Sequence, residues 1–314
     1  MAPAAKEPRV QRAAVFLLAC GADAIGGDPP TAVHPVGWLG RLVRSLEQRA
    51  PDDARGRRRF GVAVAATLPL AAAAGWAVLA RRPRAGAVAI ARDAVVLDTT
   101  FALRTLLARA GEVRRALERD DLDEARRLLA WHLVSRDTGA LSAAEVAGAT
   151  IESVAENLGD SVVGPWLAYA LAGVPGALAY RVVNTLDTMW GYRSPAYAAL
   201  GAGPARLDDL ASWAPARVTA AALCAAAAVT RADARGALRA WRRDHAETES
   251  PNAGHPMSAM AGALGVTLEK RGAYRLGDGR EPVAADIRAA VRLARVAACL
   301  VAATVVAATV PASG

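Results

Sequence analysis

One stretch constrains this chain more than any other. The acidic segment Glu152-Ser-Val-Ala-Glu156-Asn157-Leu-Gly-Asp160 leads straight into residues 162–180, which carry no charge, and Asn184-Thr185-Leu186-Asp187 follows. A run of that length approaches the roughly 20 residues that a helix needs to cross a hydrocarbon core of about 30 Å. Carboxylates and amides beside such a run are costly unless they face a protein interior or bind something. The pattern therefore points to polar chemistry at a membrane.

The rest of the chain agrees. Of its 314 residues 54% are hydrophobic and only 5% aromatic, which exceeds the apolar share of an ordinary soluble domain. Further apolar runs fall at 10–24, 60–80, 210–229 and 296–310, the third interrupted by Arg217. With 162–180 they give four to five spans, so the fold class expected is an all-α, polytopic integral membrane protein. Lys6, Arg9 and Arg12 before Ala13 to Ala19 imitate a signal peptide, but Asp23 and Gly26-Gly27-Asp28 interrupt the run, so a retained first helix is expected. Arginines flank several runs on both sides, and the positive-inside rule fixes no orientation. Straight passage of 162–180 would place the motifs at its two ends on opposite membrane faces. That run, or a neighbour, is therefore expected to be buried or re-entrant.

Two polar regions, about 81–160 and 231–292, lie between the runs. Asp121 with Glu124 fits an N-cap and its acidic N3, opening a helix to Leu133. Ser142-Ala-Ala-Glu145 is a capping box for the helix that carries Glu152 and Glu156. Another helix is expected near 233–246, before the loop Ser250-Pro-Asn252-Ala-Gly254. Strand signals are weak and no repeat or linker is visible, so residues 1–314 read as one domain. The net charge of +8 fits basic loops beside anionic lipid; no nucleic-acid motif accompanies it. Cys20, Cys224 and Cys299 lie in apolar runs without CxxC spacing, which predicts small buried hydrophobes and no zinc or disulfide framework.

Several constellations could carry chemistry. Glu152, Glu156 and Asp160 share one face if the helix persists that far, and like charges in a row call for a counterion such as Mg²⁺ or an arginine cluster. A solvated helix face is the plainer explanation of such spacing. Asp28 and His34 lie in a proline-rich turn. Arg136 and Asp137 are either an ion pair that orders a loop or a substrate contact. Asn184 and Asp187 are one turn apart, and Asp208 with Asp209 follow Arg206; each pair could hold a cation or an amine, or cap a helix. Backbone N–H groups near Gly254 could meet an anion. GxxxxGK[ST], GxGxxG, GxSxG and HExxH are all missing, which removes support from P-loop, dinucleotide, hydrolase and zincin readings.

Taken in order, these motifs resemble the CobD/CbiB family of cobalamin biosynthesis, the adenosylcobinamide-phosphate synthases. The matching residues are Gly27-Asp28-Pro29 with His34-Pro35-Val36, Arg136-Asp137-Thr138, and Glu152 to Asp160. They continue with Asn184-Thr-Leu-Asp187 before Gly191-Tyr192, Ala205-Arg206-Leu-Asp208-Asp209, Pro215-Ala-Arg217 and Ser250 to Gly254. The chain departs from the family at Ser135, Ser161 and Ser212, where Gly, Gly and Asn are usual.

The resemblance implies a multi-pass protein of the bacterial inner membrane. It implies amide ligation of aminopropanol, or its O-phosphate, to a carboxylate of adenosylcobyric acid, with ATP and Mg²⁺ as cofactors. On that likeness Glu152, Glu156, Asp160 and Asp28 would hold the metal. Ser250, Asn252, Gly254, Asn157 and Asn184 would bind cofactor or substrate. Arg136 and Arg206 would stabilise an acyl-phosphate, and Asp187, Asp209 or His34 would steer or deprotonate the amine. Other corrinoid-pathway membrane enzymes are possible partners. A transporter and a non-catalytic scaffold for corrinoid enzymes are the alternatives, distinguished by substrate flux and by the effect of single carboxylate substitutions.

Overall fold

In a computed structural model, residues 7–27, 34–81, 86–192 and 194–309 are described. The described chain is helical almost throughout, in the order α1 (Glu7–Gly26), α2 (Pro35–Glu47), α3 (Ala54–Ala80), α4 (Gly86–Asp98), α5 (Leu103–Leu117), α6 (Leu122–His132) and α7 (Ala143–Leu158). A π-helical turn at Gly159–Val163 joins α7 to α8 (Gly164–Trp190). There follow α9 (Ala202–Ala211), α10 (Trp213–Thr230), α11 (Ala234–Asp244), α12 (Gly254–Leu264), strands β1 (Leu268–Lys270) and β2 (Tyr274–Leu276), and α13 (Ala284–Thr309).

The cap signals are realised. Asp121 accepts the Glu124 N–H, and Ser142 and Glu145 close a reciprocal capping box. Asp233 accepts the Gly236 N–H at the start of α11. The two strands form an antiparallel ladder with Lys270 opposite Tyr274. At three residues each they are too short to show a period-two pattern in sequence.

Read from sequence as one domain, the chain has two compact units, each discontinuous: 1–102, 164–212 and 304–314 form the first, 103–163 and 213–303 the second. In the first, α8 packs on α2, α3, α4 and α9 around Val43, Val64, Val182, Leu186, Trp190 and Leu200. Phe16 and Phe101 flank Trp166 at 5.3 and 5.4 Å between ring centroids, so two of the chain's three phenylalanines sit in one aromatic cluster. In the second unit, α5, α6 and α7 enclose Val113, Ala116, Ala125, Leu129, Val146 and Ala149, while α12 packs on α10 and α11.

Four stretches are long and apolar enough to cross a membrane: Ala54–Ala80, Ala143–Trp190, Trp213–Thr230 and Ala284–Thr309. The first helix, expected to span at 10–24, is not among them. The last is longer than its apolar run because Arg288, Arg292 and Arg295 lie in its first half. The cysteines are less buried than expected: Cys299 is exposed and the other two are half-buried, because they lie on helix faces that the protein itself leaves uncovered.

The run 162–180 is not straight. Gly173 interrupts α8 with φ +68° and ψ −159°, a region that only glycine occupies readily. A Cβ on Gly164 would collide with the Tyr180 ring, and one on Gly176 with the Ala168 carbonyl. In an unbroken helix Gly164 and Tyr180 would stand about 24 Å apart. The two halves of α8 therefore double back on each other as a helical hairpin, as the sequence led us to expect of a re-entrant segment. At its tip Gly173 and Val174 are buried, and Tyr169 donates to the Arg12 carbonyl at 2.8 Å.

Replacing Gly176 with alanine forces a methyl group into the Ala168 backbone. It is expected to destabilise the protein by about 1–3 kcal/mol, and Gly173→Ala by a similar amount through backbone strain. Thermal unfolding of the detergent-solubilised variants checks both; unchanged midpoints would rule out the hairpin.

Candidate functional site

Each unit carries a cluster of acids that its helices hold away from water. In the first, Asn184 and Asp187 lie on the second half of α8, and Asp208 and Asp209 on α9. Asp208 is buried. Its Oδ2 accepts from Ser212 Oγ at 3.4 Å, and the Asn184 amide also faces it. Ser212 shares a 2.9 Å hydrogen bond with the Tyr180 hydroxyl, which extends the polar chain. Asp208 Oδ1 is buried with no hydrogen-bond partner. Burial, then the charge of Asp187, pushes the Asp208 carboxyl up to about 7. Asp209 adds to the same field, and among the described residues no salt bridge relieves Asp187 or Asp208.

Sequence reasoning placed its emphasis on Asp187 and Asp209. Adjacent residues on a helix are turned about 100° apart, and only packing reveals that Asp208 is the one turned inward. Arg206, on the same helix, is exposed. His34 caps α2, with Nδ1 accepting the Val36 N–H at 3.1 Å. It also lines a cavity of ≈ 380 Å³ with Arg41, Arg44 and Arg181. Asp28 lies outside the described residues.

In the second unit, α7 ends at Leu158 and the backbone widens into a π-turn before Asp160. Asp160 lies within that turn, just beyond the regular helix that carries Glu152 and Glu156. Among the described residues no three His, Cys, Asp or Glu side chains are placed to hold a metal. Glu152 and Glu156 instead line a cleft of ≈ 200 Å³ with Arg136, Lys270 and Tyr274. The Glu152 side chain is 7% exposed, and its Oε2 lies 3.9 Å from Arg136 Nη2. Its Oε1 is buried without a hydrogen-bond partner. Burial, followed by the charges of Glu152 and Glu156, raises the Tyr274 hydroxyl, which keeps it protonated and able to donate.

Arg136 reaches across to Glu152 and not to Asp137, which accepts the Gly139 N–H at 2.9 Å and shapes the turn. Asn157 bonds Ser153 through its amide nitrogen, an arrangement that fastens α7. Lys270 and Tyr274 escaped the sequence reading because the short ladder gave no strand signal; the one available hint was that Lys270 is one of two lysines in the chain.

The loop at 250–254 is closed more tightly than an anion cradle requires. Ser250 Oγ accepts from the N–H groups of both Asn252 and Ala253, and Gly254 is glycine because the His245 carbonyl abuts it. Asn252 is buried, and its Oδ1 accepts from Arg217 Nη1 at 3.3 Å. The Arg217 guanidinium lies 4.4 Å from the Trp213 ring centroid. Behind it, Trp241 Nε1 donates to His255 Nδ1 at 2.8 Å. Burial, then Arg217 and His245, pull His255 down to about 4, so it is neutral near pH 7.

Asp208 makes stability depend on pH in a definite direction. Its folded value of about 7 lies above the ordinary 3.8, so the folded state binds more protons in between. The associated stability is full below about pH 4 and is lost as pH rises through about 7. The unfolding midpoint is expected to fall between about pH 5 and pH 8, and Asp208→Asn to flatten that slope. A slope that survives the substitution would assign it to other groups.

A family model described as CobD/Cbib protein matches residues 16–301. "Cobalamin biosynthesis protein CobD" of Mycobacterium tuberculosis (strain ATCC 25618 / H37Rv) is 45% identical over 298 residues, covering 91% of this chain and 92% of its own. The protein of that name from Dehalococcoides mccartyi (strain CBDB1) is 39% identical over 272 residues, covering 86% and 88%. "Probable cobalamin biosynthesis protein CobD" of Methanothermobacter thermautotrophicus is 39% identical over 266 residues, covering 84% and 86%. No solved structure matches.

Proposed function

The chain belongs to the CobD/CbiB family of cobalamin biosynthesis, and on that premise we propose that it joins aminopropanol, or its O-phosphate, to a carboxylate of adenosylcobyric acid. The observation that carries this reading is one acid in each unit, Glu152 and Asp208, buried with an oxygen that no donor among the described residues satisfies. Buried polar atoms are almost always hydrogen-bonded, and an unsatisfied one costs about 1–3 kcal/mol, more when charged. A ligand that brings N–H donors removes that penalty, whereas a scaffold gains nothing from it.

Amide formation needs an activated acyl carbon, attack by a neutral amine, and a place for the amine's proton. In this reading bound ATP with Mg²⁺ would supply the activation of the acid. Magnesium is commonly held by one or two carboxylates plus substrate phosphates. Since the described residues assemble no three-acid site, one or two carboxylates of the 152–160 set would hold it together with those phosphates. Phosphate binding at the 250–254 loop falls to Asn252 and Arg217, because Ser250 already occupies the backbone N–H groups. The acids around Asp208, with Asn184, receive N–H donors of a substrate.

Purified protein supplied with adenosylcobyric acid, ATP, Mg²⁺ and either amine is expected to form adenosylcobinamide or its phosphate, detectable by mass. Asp208→Asn should lower turnover by about 10²-fold or more, in line with loss of a charged hydrogen-bonding group. Full turnover in that variant would defeat the assignment of Asp208. Corrinoid flux in proteoliposomes, with no product in any mixture, would defeat the reading as a whole and favour a transporter.

A further inference from the structure

Helix α2 has three faces with different surroundings. Leu39, Val43 and Leu46 turn into the core against α8. Arg41 and Arg44, with Arg181 of α8, line the ≈ 380 Å³ cavity beside it. Trp38 and Leu42 remain 53% and 45% exposed. Trp38 and Arg41 stand one turn apart, so the uncovered apolar strip borders the basic one. Thr99 and Thr185 also line the cavity, but their hydroxyls donate to the Val96 and Arg181 carbonyls, and recognition falls to charge. No carboxylate is among the described residues that line the cavity. A positive cavity without a balancing acid calls for an anion. A magnesium nucleotide is a poor match, because Mg²⁺ is commonly held through one or two carboxylates.

The cavity lies near the basic end of an apolar span. Glu47, in the last turn of α2, accepts from Trp190 and Tyr197, and Arg57, in the first turn of α3, donates to the adjacent Ala196 carbonyl. The end of α2 is thus level with the start of α3, where Arg55, Arg57, Arg58 and Arg59 precede the uncharged run. Arginines at the end of a span mark the headgroup layer. Arg44 and Arg41 lie about 4.5 and 9 Å from Glu47 along the helix axis, within reach of that layer for side chains that extend toward it. We propose that this cavity binds the phosphate of an anionic phospholipid, with its acyl chains along Trp38 and Leu42. Guanidinium groups meet a phosphate diester through charge-assisted hydrogen bonds, and the exposed indole offers the chains an apolar wall while its N–H stays at headgroup level. The site goes beyond the ligase reading and uses none of the groups to which that reading gives a role.

The test is native mass spectrometry of the full chain, released from detergent micelles that hold equal amounts of phosphatidylglycerol and phosphatidylcholine with the same acyl chains. Phosphatidylglycerol is expected to be retained at least about fivefold more often. Arg41→Gln and Arg44→Gln should each lower its retention about fivefold, the worth of one basic side chain at an anionic surface. Both positions are exposed, so folding is not at risk. Arg242→Gln, on the exposed side of α11, should change retention by less than about twofold. Trp38→Ala should also lower it, which a site for phosphate alone would not show. Equal retention of the two lipids, an equal loss in Arg242→Gln, or no loss in either cavity arginine variant would each overturn the proposal. Displacement of phosphatidylglycerol by excess inorganic phosphate or ATP would overturn it too and assign the cavity to a soluble phosphate.

Discussion

The polar chain around Asp208 in the first unit depends on a contact between small residues and a ring. Gly164 lies flat against Tyr180, Gly176 lies against Ala168, and Gly173 turns the chain between them. A side chain at Gly164 or Gly176 would prise the halves of α8 apart, and one at Gly173 would strain the turn. Because they close, a run of membrane length returns to its starting level and never crosses the bilayer as one rod. The returned half then presents Tyr180 to Ser212 and Asn184 to Asp208. The buried acid is thus a product of the hairpin as much as of α9.

The second unit reaches a comparable result by other means. A capping box starts α7, a π-turn ends it, and the short ladder brings Lys270 and Tyr274 over Glu152. In both units the acid is kept from water before any ligand arrives. Preorganised sites of this sort spare the ligand the reorganisation that bulk water would demand. They also tie stability to protonation, which is why the Asp208 titration and the ligand chemistry are two views of one arrangement.

How much of this could be read in advance differs by feature. Helix caps at Asp121 and Ser142 are local, and sequence reveals them almost to the residue. Apolar runs reveal length and nothing about direction. The reversal at Gly173 depends on a single φ, and the pairing that confirms it joins residues sixteen apart. Glu152 and Glu156 lie in the regular helix that the capping box announces, whereas the π-turn that carries Asp160 has no sequence signal. Which of Asp208 and Asp209 faces inward is a question of rotation that no neighbouring residue answers. Lys270 and Tyr274 lie more than a hundred residues from the glutamate they surround, on strands too brief to announce themselves. Motif order carried the family assignment across all these gaps, since it needs no geometry.

The hairpin also bears on how such a chain is made. Irregular backbone at membrane depth survives only when protein covers it, and the tip at Gly173 is covered by the neighbourhood of Arg12. The other helices beside that tip, α3 and α4, likewise precede it in the chain. Synthesis from the N-terminus therefore delivers the walls before the segment that needs them, and the broken helix emerges into a berth of earlier helices instead of bare acyl chains.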